Sequence, residues 1–225
     1  MRNGLAFFLC LAMASAAAAA EDFIETTGTL SDEAFYRLVA CAAPPGEPCR
    51  KPLLHWPTDR PLRVQMARID HAFLGGKQNR ARAALVRAVQ FINRAGAGIS
   101  LEQVPPDAEA DIRIYLIDTD GTAPIAGTGI KGVDGTTVTG ARVTVWSRSD
   151  THMIRRAQIV FGTLLDIRHY ESAMIEELIQ GLGLLTDIRN PDYHGRSVFS
   201  QDDNESKDLG PQDIVALHRH YPPRE

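Results

Sequence analysis

The chain has 225 residues, of which 24 are Lys or Arg and 28 are Asp or Glu, giving a net charge of −4 at pH 7 with histidine neutral. That balance excludes a surface basic enough to track nucleic acid or to hold an anionic membrane. The length suits one domain with a substantial core and is short for two.

Met1-Arg2-Asn3-Gly4 carries a positive charge and leads into an apolar run from Leu5 to Met13, followed by an alanine-rich tract ending at Ala20. This pattern predicts a signal peptide over residues 1–20, cleaved near Ala20, and so a periplasmic or secreted protein. Its apolar stretch is too short for a membrane span, and no later segment has the required length and purity. Cys10 leaves with the leader. Residues 21–225 are then expected to form a single domain, with an N-terminal segment pinned by a disulfide.

Ser31 followed by Asp32 and Glu33 marks a helix start, and Phe35, Leu38 and Val39 recur on one face. Cys41 and Cys49 flank a stiff stretch that contains Pro44, Pro45 and Pro48. Outside the cytoplasm, an even pair around a proline-rich turn is most simply a disulfide. For a loop this short the chain-entropy estimate is about 2.5 kcal/mol. A redox or metal pair is disfavoured, because the spacing is not C-x-x-C and no histidine lies close by.

Leu62, Val64 and Met66 alternate with Arg63 and Gln65, the two-residue period of a half-buried strand. From about Gln78 to Ala95 the apolar residues Ala81, Ala84, Leu85, Ala88, Val89 and Ile92 follow the helical period, and Gly96 stands where a C-cap glycine belongs. Ile112, Ile114 and Leu116 mark a second strand. The stretch from Gly121 to Gly140 holds six glycines and is expected to be a long exposed loop. Val143 with Val145, and Ile159 with Phe161, mark two further strands.

A helix is predicted from about Ile167 to Leu182, followed by Gly183. Wound at about 100° per residue, it puts Tyr170, Met174, Leu178 and Gly181 on an apolar side. His169, Ser172, Glu176, Gln180 and Gly183 form a separate polar stripe, with Glu177 between the two. Ser197-Val198-Phe199 is a short β-prone run. Leu209-Gly210-Pro211-Gln212-Asp213 opens a last helix, with Ile214, Leu217 and Tyr221 expected to face inward and proline fitting the first turn.

The order of strand, long helix, strand, glycine-rich loop, two strands and helix resembles the catalytic domain of a metzincin of the matrixin type. The zinc-protease frame H-E-x-x-H-x-x-G-x-x-H, in which two imidazoles one turn apart hold zinc and a glutamate acts as base, falls on Glu176 to Thr186. By that resemblance Glu176 occupies the first histidine position, Glu177 the base, Gln180 the second histidine, Gly183 the turn glycine and Thr186 the third ligand. Asp187 lies one residue beyond. Ser197-Val198-Phe199 resembles the Met-turn with phenylalanine for methionine, and Leu209 to Tyr221 resembles the closing helix, with Asp213 in its usual place. The chain also resembles a bacterial secreted family of unknown function in which an E-E-x-x-Q helix and an N-terminal cysteine pair occur together.

The resemblance implies an α/β (α+β), zincin-like fold: a mixed twisted sheet, a long N-terminal helix and an active-site-type helix beneath the sheet. It also implies a groove that, in active relatives, takes an extended peptide as an added strand. Zinc sites draw on imidazole, thiolate and carboxylate, so with glutamate, glutamine and threonine at the ligand positions zinc is not expected. An oxygen set from Glu176, Gln180 and Asp187 would suit calcium better. His169, two turns before Glu176, and His194 are the only candidates for an unorthodox site.

Without a metal-bound water Glu177 has nothing to activate, and its plain structural role is a buried, hydrogen-bonded carboxyl. The expected function is a catalytically silent pseudopeptidase that binds a peptide or protein in a cleft built from Glu176, Gln180, Asp187 and His169. The alternative is an atypical metallopeptidase using Glu177 as general base. A third is an envelope protein whose groove is filled by its own loop. No G-x-S-x-G elbow is present, and Gly127-Thr128-Gly129 does not continue into a phosphate-binding motif.

Overall fold

A computed structural model describes residues 23–203 and 205–223; the leader predicted over residues 1–20 lies outside them. The elements in chain order are β1 (Phe23–Glu25), α1 (Asp32–Cys41), β2 (Leu62–Ile69), α2 (Gly76–Arg94), β3 (Leu101–Gln103), β4 (Ile112–Leu116), β5 (Ala141–Ser147), β6 (Ile154–Phe161), α3 (Tyr170–Gly181), β7 (Asp187–Arg189) and α4 (Pro211–His220). The architecture is mixed α/β. Five strands form one sheet in the order β3-β2-β4-β6-β5, and β1 pairs with β7 in a separate two-stranded ribbon. Within the five-stranded sheet only β5 runs antiparallel to its neighbour.

Local chemistry explains most boundaries. The Ser31 side chain accepts from the Ala34 N–H and caps α1, as its sequence predicts. The long helix ends at Arg94, and Gly96 follows in the left-handed region at φ 74°. In β2 and β4, Leu62, Val64, Ile112, Ile114 and Leu116 are fully buried, the inward set of two alternating strands. The α2 and α3 helices lie together against that face. Glu171 of α3, almost fully buried, receives Arg80 at 3.1 Å and Arg87 at 3.2 Å, both from α2.

The C-terminal end of α3 is fastened by side chains from far along the chain. Trp56 Nε1 donates to the Gly181 carbonyl at 2.8 Å, and the Tyr221 hydroxyl donates to the Leu182 carbonyl while accepting from the Trp56 N–H. These bonds satisfy carbonyls that a helix end leaves without partners. Gly183 then turns the chain at φ 108°, where a Cβ would stand 2.1 Å from the Leu54 carbonyl oxygen. Only glycine fits that approach.

The structure refines three features read from the sequence. The glycine-rich stretch has neither helix nor strand, as expected, yet it is not simply exposed: Ile125, Val133 and Val138 are buried against Tyr115, Ile117 and Val160 on the outer face of the sheet. The polar stripe of the motif helix is largely covered, with Ser172 and Gln180 buried and Glu176 half-buried, because α3 packs on several sides at once. Ser197-Val198-Phe199 is not a strand. It is a buried turn, followed by a single bridge between Ser200 and Ile188.

Candidate functional site

A cleft of roughly 480 Å³ opens between β5 and the pair formed by α3 and β7. Glu176, Glu177 and Gln180 reach it from α3, Asp187 from β7, and Arg142 with Val143 from β5, while Lys51 closes one side. Four of the residues singled out in the sequence therefore meet in one place. His169 does not line this cleft; it precedes the first turn of α3, and His194 is exposed, 4.0 Å from Asp202.

The base of the site is held by Asp213. Its carboxylate accepts from the Ser197 hydroxyl at 2.6 Å, the Val198 N–H at 3.0 Å and the Gly210 N–H at 2.8 Å, locking the buried turn to the start of α4. Burial pushes its pKa up to about 6 against the opposing pull of those hydrogen bonds. Phe199 is fully buried and meets the Phe35 ring edge-on, with centroids 5.9 Å apart. The Phe199 carbonyl accepts from the Ile188 N–H at 2.7 Å, so this turn fixes the position of β7 and with it Asp187.

Cys41 and Cys49 are joined, with an S–S distance of 2.04 Å. The Cys41 carbonyl accepts from the N–H groups of Arg50 and Lys51, each at 3.0 Å. The cross-link thus sets where Lys51 enters the cleft, a connection that no spacing rule in the sequence announces.

Chemically, carboxyl groups dominate the site. Gln180 Nε2 donates to Asp187 Oδ1 at 2.8 Å. Glu177 is 6 % exposed, and its Oε2 is sealed from solvent with no hydrogen-bond partner. Burial raises its pKa to about 8, the neighbouring Asp187 adds to the rise, and Arg142 opposes it. At neutral pH Glu177 is therefore an uncharged acid. Glu177 is thus buried, as the sequence suggests, but as an uncharged acid and with one of its two oxygens, Oε2, left without a hydrogen-bond partner.

The three positions that the sequence resemblance aligns with zinc ligands carry a carboxyl, an amide already engaged with Asp187, and the Thr186 hydroxyl, which is buried without a partner. That donor set does not fit zinc, which favours nitrogen and sulfur. Among the described residues no three His, Cys, Asp or Glu side chains are gathered so as to hold a metal ion.

The cleft also has a backbone wall. β5 is the last strand of the sheet, paired only with β6 among the described residues. The Gly162 N–H donates to the Gly140 carbonyl at 2.7 Å, which makes Gly140 and Gly162 a hydrogen-bonded pair. By the alternation of an antiparallel ladder, Ala141, Val143 and Val145 then turn their N–H and C=O groups to the open side. Sequence reasoning had not singled out Lys51 or Arg142. For Arg142 a signal existed, since it alternates with Val143 and Val145.

Fold and site together describe a mixed α/β protein with a carboxyl-rich cleft beside a strand edge that is open among the described residues. The chain belongs to the family described as Protein of unknown function (DUF2927), whose model matches residues 19–224. No curated protein matches it. Among the described residues no helix is long and apolar enough to cross a membrane.

Proposed function

We propose that this is a periplasmic or secreted protein of zincin-like ancestry, folded as a single domain, which binds an extended polypeptide in its cleft and does not cleave it. The observation that carries this reading is the juxtaposition of a strand edge with no partner among the described residues and a cleft whose ligand-position donors do not suit zinc. An added strand gains affinity from backbone hydrogen bonds and needs no metal. Kinship with metzincins is supported by the sheet order with its single antiparallel edge strand, by α3 lying against the sheet, and by the buried turn of Ser197 to Phe199 beneath the site. Secretion is supported by the disulfide and by the leader pattern. The groove-filled alternative is disfavoured, because no residue of the glycine-rich stretch lines the cleft.

The test uses reduced, carboxymethylated lactalbumin, a permanently unfolded polypeptide, as probe. Retention without fragmentation is expected. Val143→Pro removes an outward N–H while leaving the ladder to β6 intact, a placement that edge strands tolerate. It should weaken retention about tenfold, the worth of one or two backbone hydrogen bonds, whereas Val143→Ala should not. Equal retention by Val143→Pro would refute strand addition. Fragmentation that requires added metal and vanishes in Glu177→Gln would establish the metallopeptidase alternative.

A further inference from the structure

The sheet face turned away from α3 carries a cationic strip along the open edge. Val143 and Val145 of β5 join the core beside α3, so the alternate residues Arg142, Thr144 and Trp146 stand on the opposite face. Arg142 lies directly across from Val160, which is buried with Val133 and Val138 of the glycine-rich stretch. On that same face the Arg156 guanidinium stacks on the Trp146 ring, 4.0 Å from its centroid. A Cβ at Gly132 would stand 2.5 Å from the ring, so the chain rests on Trp146 there, with the exposed Lys131 next to it. None of Arg142, Arg156 and Lys131 is ion-paired among the described residues. The acids Glu176 and Glu177 belong to α3, on the Val143 side of the strand.

We propose that the polypeptide bound along β5 carries Asp or Glu at alternate positions, and that Arg142, Arg156 and Lys131 select it. This rests on the strand-addition reading and names the chemistry of its ligand. A strand added to β5 continues the pleat, so every second side chain of the ligand falls on the cationic face and the others on the side of Val143 and Val145. Arg142 and Thr144 turn their backbone groups to β6. The residues opposite them in an antiparallel ligand therefore form the close, non-hydrogen-bonded pairs, with Cα atoms about 4.5 Å apart. A carboxylate opposite Arg142 meets its guanidinium, an acceptor that suits the planar fork of arginine. A second, opposite Thr144, lies within diagonal reach of Arg142 and of Trp146 with its stacked Arg156. Lysine or arginine at those positions is repelled. The chain as a whole is negative, so this selection is local and is screened by salt.

The experiment is a calorimetric titration of the protein with acetyl-Ser-Thr-Val-Glu-Val-Glu-Val-Thr-Ser-amide and with two twins that carry Gln or Lys in place of both Glu. At low ionic strength the Glu peptide should bind about fivefold more tightly than the Gln twin, the yield of two or three cross-strand charge pairs, and the Lys twin more weakly than either. Sodium chloride at about 0.5 M should bring the ratio of Glu to Gln affinities close to one. Arg142→Gln combined with Arg156→Gln should do the same at low salt. The ratio is taken within one protein, so a general loss of binding does not imitate its collapse.

Equal binding of the three peptides by the wild type, or a preference for the Lys twin, would overturn the proposal. So would displacement of the Glu peptide by oligothymidylate at an equal concentration of charge, which would mark a surface for any polyanion. Val143→Pro separates the two levels. If it leaves every affinity unaltered while the preference for Glu persists, strand addition is refuted and acid selection by this face stands. If it weakens all three peptides and the wild type shows no preference, acid selection alone is refuted. Absence of binding by all three would overturn both.

Discussion

Glu177→Gln removes an ionisable group that the fold holds in its uncharged form. The folded pKa is about 8 against 4.5 for the free side chain, so the folded state binds the proton more tightly than the unfolded one. Stability contributed by this group is fully present below pH 4.5 and is lost as pH rises through 8. Between those values each pH unit removes about 1.4 kcal/mol. Taken from the two pKa values, the wild-type chain gives up about 3 kcal/mol at pH 7 and about 5 kcal/mol at pH 9 relative to acid conditions. Glutamine is neutral throughout, so the variant should match the wild type near pH 4 and exceed it by about those amounts at pH 7 and 9.

Urea unfolding followed by tryptophan fluorescence at the three pH values measures the difference directly. Asp213, whose pKa burial also raises, titrates in both chains and cancels. Parallel stability profiles for the two proteins would refute the claim that Glu177 is buried uncharged beside Asp187.

Gly183→Ala should cost at least about 3 kcal/mol, read as a lowered urea midpoint, because the new methyl meets the Leu54 carbonyl at a backbone angle that side chains resist. Asp213→Ala leaves the Ser197 hydroxyl and the Val198 and Gly210 N–H groups without their acceptor. About 4 kcal/mol of destabilisation is expected, with Glu177→Gln adding independently in the double variant. Reduction of Cys41–Cys49 should lower stability by about 2.5 kcal/mol in denaturant titrations with and without dithiothreitol. If the proposed leader is removed on export, mass spectrometry of protein recovered from the periplasm or medium should find Glu21 at its amino terminus.

Long periodic segments were legible in the sequence because their burial is one-sided. The helices at Asp32–Cys41 and Gly76–Arg94 and the strands at Leu62, Ile112, Val143 and Ile159 all appear. The three-residue strands β1, β3 and β7 escaped because so few residues carry no period, and their pairing is decided by what lies beside them. In α3 helical winding separates polar from apolar residues but does not show that both are buried, because the helix is packed by α2, by the sheet and by the Ser197 turn. The glycine-rich stretch concealed Ile125, Val133 and Val138 for a related reason, since its turns bring scattered apolar residues onto the sheet without a repeat.

At the site, the sequence frame located Glu176, Glu177, Gln180 and Asp187, which share one cleft. It could not show that Gln180 turns its amide to Asp187 or that Glu177 Oε2 lacks a partner, because those depend on the placement of β7 by the Asp213-bound turn. Nor could it place His169, which stands on the same winding as Glu176 yet precedes the helix and does not line the cleft.

The most direct test of the proposed zinc-free polypeptide cleft is the metal content of protein purified without chelators, measured by elemental analysis before and after dialysis against zinc. Less than about a tenth of an equivalent of zinc should remain bound, in keeping with a donor set of carboxyl, amide and hydroxyl. One equivalent, retained by the wild type and lost in Glu176→Ala, would contradict it.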